Sequence, residues 1–402
     1  MDKTFISTTV APTATQQDLL VIESFLSENY LFRRNILAGQ VEFTTINAGE
    51  PPKFRELSKA ALNSICIRAK REGVLKKGSS KTDIKDYLES EEIPDYNPAM
   101  DFIEHLPEWD GRDRIADFFK RIPGINSELI HFATVWMLSL VAHMMQLDKR
   151  HGNECVLTLI GAQGCGKTTF TRSILPPELQ KYHQDAFNLA NRFDKESGLT
   201  NFLIVNLDEL EAIPSSQHAK LKQALSASKV NGRPIFGRAP EERRRFASFV
   251  ATTNNPHPLT DVTGNRRYIC IPIPNGQQID NATGIDYEQL YSQIVYELTV
   301  LKTPYWFNKE EVARIQELNQ QYTDQKDIAK IILACFRKPE EGEKVKSLNS
   351  TEIIGIIQES FPSVKCTHGT KVCLGTAMKE LGFEHKEHSH VAYYKAVPLK
   401  TA

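Results

Sequence analysis

The densest chemistry in the sequence is one short run, Gly161-Ala162-Gln163-Gly164-Cys165-Gly166-Lys167-Thr168, which fills the pattern G-x-x-x-x-G-K-[S/T] at every fixed position. Its glycines let the backbone turn so that amide N–H groups face inward on phosphate oxygens. In such a cradle Lys167 reaches the β- and γ-phosphates of a nucleoside triphosphate, and the Thr168 hydroxyl is a ligand for Mg²⁺. With Thr169, the run Gly161–Thr169 is the expected ATP-binding set. A cradle alone only binds. Hydrolysis needs an acid pair, and the run Phe202–Glu209 (FLIVNLDE) ends in one. Asp208 suits the metal's hydration shell, and Glu209 suits a general base on the attacking water.

Two further clusters belong to the same chemistry. Phe249–Thr253 is followed by Asn254-Asn255, where a polar side chain either orients the water near the γ-phosphate or simply makes a turn. Arg266 and Arg267 follow Asp261-Val-Thr-Gly-Asn. They are either a solvated pair or arginine fingers that reach a neighbour's ATP, since a guanidinium stabilises charge in phosphoryl transfer. The second reading implies a ring of subunits with shared active sites.

The elements that must position these residues are legible as a rhythm. Cys155–Gly161, Phe202–Leu207, Phe246–Thr252 and Tyr268–Ile273 are short apolar runs that read as buried strands. Thr168–Leu175 and Ser215–Ser226 read as helices between them, so the middle of the chain is an α/β domain with a parallel sheet. Residues 1–17 read as a tail, and 18–98 as a mostly helical module around one strand-like piece, QVEFTTIN. Residues 99–150 read as helices leading into a core of 151–300. A helical connector, 301–346, then precedes a small module of helices and a β-wing at 347–402.

Taken in order, GAQGCGKTTF, LIVNLDEL, LKQALS, ATTNN and DVTGNRRY resemble the virulence-associated protein E family, as does YNPAMDFIEHLPEWDGRDRI upstream. These are P-loop ATPases of mobile genetic elements, similar to superfamily 3 helicases and poxvirus-type primase-helicases in the AAA+ class. The resemblance spans about Tyr96 to Ile273. It implies a hexameric ATPase that moves along single-stranded DNA during replication of an element or phage, with ATP and Mg²⁺ as cofactors. Carried over by motif, Lys167 and Thr168 are the Walker A pair, and Asp208 and Glu209 the Walker B pair. Asn254 becomes sensor 1, and Arg266 or Arg267 the finger. No catalytic acid pair of the primase type precedes the core, so a separate primase partner is the expectation.

Two alternatives stay open: a DNA-binding switch that melts an origin or loads a helicase, and a regulatory NTPase acting on a protein. By analogy, the stretch before the third strand would place Lys229, Arg233 or Arg238 on DNA phosphates in the ring's pore, with Arg243–Arg245 at an interface or on a solvated face. The basic stretch Lys53–Lys81 is either a DNA-facing helix pair or another solvated face. The terminal module reads as a winged helix, which docks on DNA or on protein. Its Cys366, His368, Cys373, His385, His388 and His390 match no common zinc spacing.

Composition sets the outer limits. With 49 basic and 50 acidic residues the net charge is −1, which excludes a polycation that coats nucleic acid and requires any DNA contact to be local. The start shows no apolar leader, and His131–Leu147 is too short and polar for a membrane span. The 7 scattered cysteines suit a reducing cytoplasm.

Overall fold

A computed structural model of the chain describes residues 13–47, 49, 51–74, 80–148, 152–210, 213–232, 241–259, 265–322, 328–340, 343, 345–362, 364, 366, 368–388 and 391–399. The chain divides into two compact units, Met1–Asp101 and Phe102–Ala402.

The first unit starts with α1 (Ala14–Asn29), whose N-terminus is closed by a capping box between Thr13 and Gln16. β1 (Tyr30–Asn35), β2 (Gln40–Thr45) and β3 (Arg55–Glu56) follow, then α2 (Lys59–Arg71), α3 (Ser80–Glu89) and β4 (Asp95–Tyr96). The sheet order is β3-β2-β1-β4, so one strand-like piece becomes four strands. The extra strands escape the sequence because β1, YLFRRN, breaks its apolar alternation with two arginines. The Arg33 guanidinium lies over the Phe54 ring at 4.0 Å and the Tyr96 ring at 3.4 Å, and pairs with Glu42 at 2.7 Å. Ile22, Leu26, Phe43, Ile65 and Ile84 form the core.

α4 (Pro98–Glu104) carries the chain into the second unit. α5 (Arg114–Lys120) and α6 (Ser127–Met144) come first. α6 is the apolar stretch of the sequence, and it is buried along most of its length against the sheet that follows. Its Trp136 donates Nε1–H to the Cys155 carbonyl at 3.1 Å. Among the described residues no helix is long and apolar enough to cross a membrane.

The sheet is built from β5 (Val156–Ile160), α7 (Lys167–Arg172), β6 (His183–Gln184), α8 (Arg192–Asn201), β7 (Ile204–Asp208) and α9 (Ser215–Ser226). A hairpin of β8 (Lys229–Gly232) and β9 (Glu241–Arg244) precedes β10 (Ser248–Thr253) and β11 (Tyr268–Pro272). The five long-range strands are all parallel, in the order β11-β5-β10-β7-β6. Such a sheet is covered on both faces, which is why its longer strands read as runs rich in apolar residues rather than as alternating ones. β10 lies between β5 and β7 with Thr252 opposite both Leu159 and Asp208, so three strands end their C-termini side by side. α8 has no apolar period and was not legible; Asn191 caps it through Phe193 N–H.

α10 (Tyr287–Tyr296) and α11 (Lys309–Asn319) follow, then α12 (Ile328–Cys335) and β12 (Phe336–Arg337). The chain ends with β13 (Ser347–Asn349), α13 (Ser350–Ser360), α14 (His368–Glu380), β14 (His385–His388), β15 (Val391–Lys395) and β16 (Val397–Pro398). β13, β15 and β14 form an antiparallel sheet, the wing expected from the sequence. α12, which the sequence places in the connector, packs Ile328, Ile331 and Ile332 into the same core as Ile353, Leu374 and Tyr394.

Candidate active site

The P-loop leaves β5 at its C-terminal end, and its geometry follows from three glycines. Gly164 and Gly166 have φ of 82° and 90°, in the left-handed region that a side chain resists. A Cβ on Gly166 would also lie 2.4 Å from the Asn281 amide nitrogen. A Cβ on Gly161 would lie 3.0 Å from Ile273. The loop is therefore held close against the strand and the chain segment behind it. Cys165 is buried in that contact, its carbonyl accepting from Ile279 N–H at 3.0 Å.

A cavity of about 400 Å³ opens at this edge, lined by Gln163, Gly164, Gly166, Lys167, Thr168, Thr169, Asp208, Glu209, Thr252, Thr253 and Asn254. Lys167 is buried, and its ammonium donates to Gly161 O at 2.7 Å, Ala162 O at 2.9 Å and Asn254 Oδ1 at 2.9 Å. A phosphate in the cavity must replace at least one of these. Thr168, Asp208 and Glu209 are exposed to solvent. Asp208 Oδ1 accepts from Thr252 Oγ1 at 2.5 Å, and Thr252 Oγ1 accepts in turn from Asn206 Nδ2 at 3.5 Å. That chain fixes the carboxylate from the neighbouring strand. Glu209 has φ of 49°, a left-handed conformation uncommon for a residue with a side chain and typical of strain stored at functional sites.

Sequence reasoning missed Thr252, Asn206 and Asn281. The first two are polar residues inside buried strands, and Asn206, two residues before Asp208 on the same strand, shares its face. Asn281 carries no such signal. It lies in the loop after β11, donates Nδ2–H to the Gly166 carbonyl at 3.0 Å and keeps its Oδ1 buried without a partner among the described residues.

Arg266 and Arg267 are not at this cavity. They precede Tyr268, which pairs with Val156 at the N-terminal end of β5, so they stand at the opposite edge of the sheet. Residues 260–264 of the same motif lie outside the described residues.

The hairpin before β10 is also different from the expectation. Lys229 pairs with Glu242 across the β8–β9 ladder. Arg243 donates to Asn201 Oδ1 at 2.8 Å, and Arg244 pairs with the buried Asp148. Arg245 is 1% exposed, which removes it from any interface or solvated face. Its guanidinium donates to the carbonyls of Ala224, Leu225 and Ala227 at the end of α9, and to those of Ala247 and Asn153 where β10 and β5 begin. Burial pulls its pKa down to about 10. Arg233 and Arg238 lie outside the described residues.

In the basic stretch of the first unit, Arg68 pairs with Glu72 at 2.7 Å and donates to Asn29 Oδ1 at 2.5 Å, while Lys70 and Arg71 are exposed. Residues 75–79 lie outside the described residues. On the wing, His385 stacks on the Tyr394 ring at 5.8 Å, and His390 lies outside the described residues. No group of three His, Cys, Asp or Glu among the described residues is arranged to hold a metal ion.

Comparison with known proteins adds a family. The Virulence-associated protein E-like domain matches residues 103–324, more than half of the chain. No curated protein matches. Among solved structures, the A-form apo structure of the NrS-1 C-terminal region is 13% identical, with 94% of this chain and 98% of that one covered and a TM-score of 0.44. The SCCmec type IV Cch structure, described as an active helicase, is 13% identical, with 92% of each chain covered and a TM-score of 0.36.

Proposed function

The chain belongs to the Virulence-associated protein E-like domain family, and on that footing we propose that it is an ATPase whose turnover drives a ring of its own copies along single-stranded DNA in the replication of a mobile element or phage. The observation that carries the proposal is convergence: Lys167, Thr168, Asp208, Glu209 and Asn254 come from three separate parts of the sequence and line one cavity.

The donor set fits ATP with Mg²⁺. Thr168 and Asp208 offer exposed oxygen ligands of the kind Mg²⁺ takes alongside substrate phosphates. The metal would neutralise phosphate charge there. Lys167 exchanges its loop carbonyls for phosphate oxygens. Glu209 takes the proton of the attacking water, and Asn254, released by Lys167, orients that water. Arg266 and Arg267, at the far edge of the sheet, act on the site of the next subunit.

One observation favours the protein-directed alternative. Arg244 and Arg245 are engaged with buried groups of the chain, so pore contacts with DNA would fall to Lys229, whose pair with Glu242 is exposed, and to Arg233 and Arg238. Steady-state ATPase assays with and without single-stranded DNA, at low and high salt, test the choice. Stimulation by DNA that salt removes supports translocation. Turnover indifferent to DNA overturns it in favour of a protein partner. Strand displacement then separates a helicase from an origin-melting switch.

A further inference from the structure

A second cavity, of about 190 Å³, lies at the opposite edge of the sheet from the P-loop. Its walls come from five places: Ser139 on α6, residues 152–155 leading into β5, Arg266 and Arg267 before β11, Tyr305–Phe307 before α11, and Val312 on α11. The aromatic wall is fixed in place. The Tyr305 hydroxyl donates to Leu147 O at 2.9 Å, Phe307 packs on Phe132 at 5.9 Å, and Trp306 packs edge-on against Tyr305 at 5.0 Å.

Two residues lining this cavity carry a buried donor with no partner among the described residues. Ser139 is 3% exposed and its Oγ makes no hydrogen bond. Arg267 Nε is buried and likewise unpaired. A buried polar group without a partner costs free energy, and both residues line this cavity, so an acceptor entering it can relieve that cost. The charge points the same way: two guanidiniums, Arg266 and Arg267, face one carboxylate, Glu154. A group with several acceptor oxygens and negative charge satisfies both conditions, and guanidinium is the side chain best shaped to hold it.

We propose that this cavity is a binding site for a phosphate-type oxyanion, distinct from the P-loop. The anion comes either from free phosphate or from the phosphoryl end of a nucleotide. While bound, it holds Arg266 and Arg267 within their own subunit.

The test keeps the two sites apart by using full-length chain carrying Lys167→Ala, which disables the P-loop. Orthophosphate and ADP are titrated separately, by calorimetry and by tryptophan fluorescence, because Trp306 lines the cavity. The expected result is saturable binding of at least one of the two. Ser139→Ala, added to Lys167→Ala, should weaken it about tenfold, the loss of one hydrogen bond to a charged group. Trp306→Phe should abolish the fluorescence change while the heat remains. Orthophosphate binding at least as tightly as ADP identifies the free anion as the source, and tighter ADP binding identifies a nucleotide. Should Ser139→Ala fail to fold, Arg266→Gln on the exposed rim gives the same readings. No saturable binding, an affinity indifferent to these substitutions, or a fluorescence change undiminished in Trp306→Phe overturns the proposal. None of these outcomes depends on ATP turnover, so the ATPase reading stands or falls separately.

Discussion

Lys167 connects the P-loop to Asn254, and that hydrogen bond ties the loop to the end of β10. Glu209 sits next to Asp208 in a left-handed conformation that turns it out of the strand. These two residues have separable consequences. Glu209→Gln keeps the shape and removes the proposed base, so it should bind ATP with unchanged affinity while kcat falls by about 10²-fold or more. Wild-type turnover in that variant would show that another group takes the proton. Thr252→Val removes the hydroxyl that steadies Asp208 and should lower kcat with a smaller change in KM, read from Michaelis curves over a range of Mg²⁺. The sequence made Lys167 and Thr168 legible because all their geometry lies within one contiguous turn. Thr252 was not legible because its link to Asp208 depends on strand register, which no local spacing encodes.

At the scale of elements, the surprise is Arg245. In the sequence it is the last of three arginines in a charge run, and such runs usually face solvent. In the fold it is a buried tie between the end of α9 and the starts of β5 and β10. The last carbonyls of a helix have no partners within the helix, and here a guanidinium supplies them. Arg245→Met leaves five carbonyls without that donor and should cost about 3–5 kcal/mol, seen as an earlier urea midpoint. An unchanged midpoint would mean that water replaces the guanidinium at little cost.

Beside this tie lies His143, buried, with its Nε2 accepting from Asn153 N–H at 2.8 Å. Burial first, then the positive charges of Arg245 and Arg244, hold its pKa well below the usual value, although Asp148 lies 3.5 Å away. His183 is lowered too, mainly by burial. The folded chain therefore binds fewer protons than the unfolded one below the ordinary histidine pKa of about 6.5. Stability is fully present above that pH and falls as pH drops through the window down to the folded values. Each histidine contributes a slope of at most about 1.4 kcal/mol per pH unit. The melting temperature should fall between pH 7.5 and 5.5, and fall less in His143→Gln. A flat profile would remove both histidines from the account.

The whole molecule explains why the arginine motif resisted assignment. A spacing in sequence does not say at which edge of a sheet a residue lands, and only the parallel pairing of Tyr268 with Val156 settles it. Lys167 follows the C-terminal end of β5, and Arg267 stands beside its N-terminal end. The five residues of that strand set them about 16 Å apart along its axis, too far for a guanidinium to reach the chain's own γ-phosphate. If Arg266 and Arg267 act in catalysis, they do so across an interface, and a closed ring of identical copies offers that interface at every subunit. The consequence can be measured by mixing. Lys167→Ala chains carry intact arginines, and chains with Arg266→Ala plus Arg267→Ala carry an intact P-loop. Each alone should fail to hydrolyse ATP. In an equal mixture that assembles at random, about one interface in four joins a working P-loop to a working arginine pair. ATPase activity should then return to about a quarter of wild type, less if turnover needs neighbouring sites to fire in sequence. Normal turnover by the double arginine variant alone, or no recovery on mixing when the two chains demonstrably co-assemble, would rule out a shared site and confine the chemistry to the single P-loop cavity.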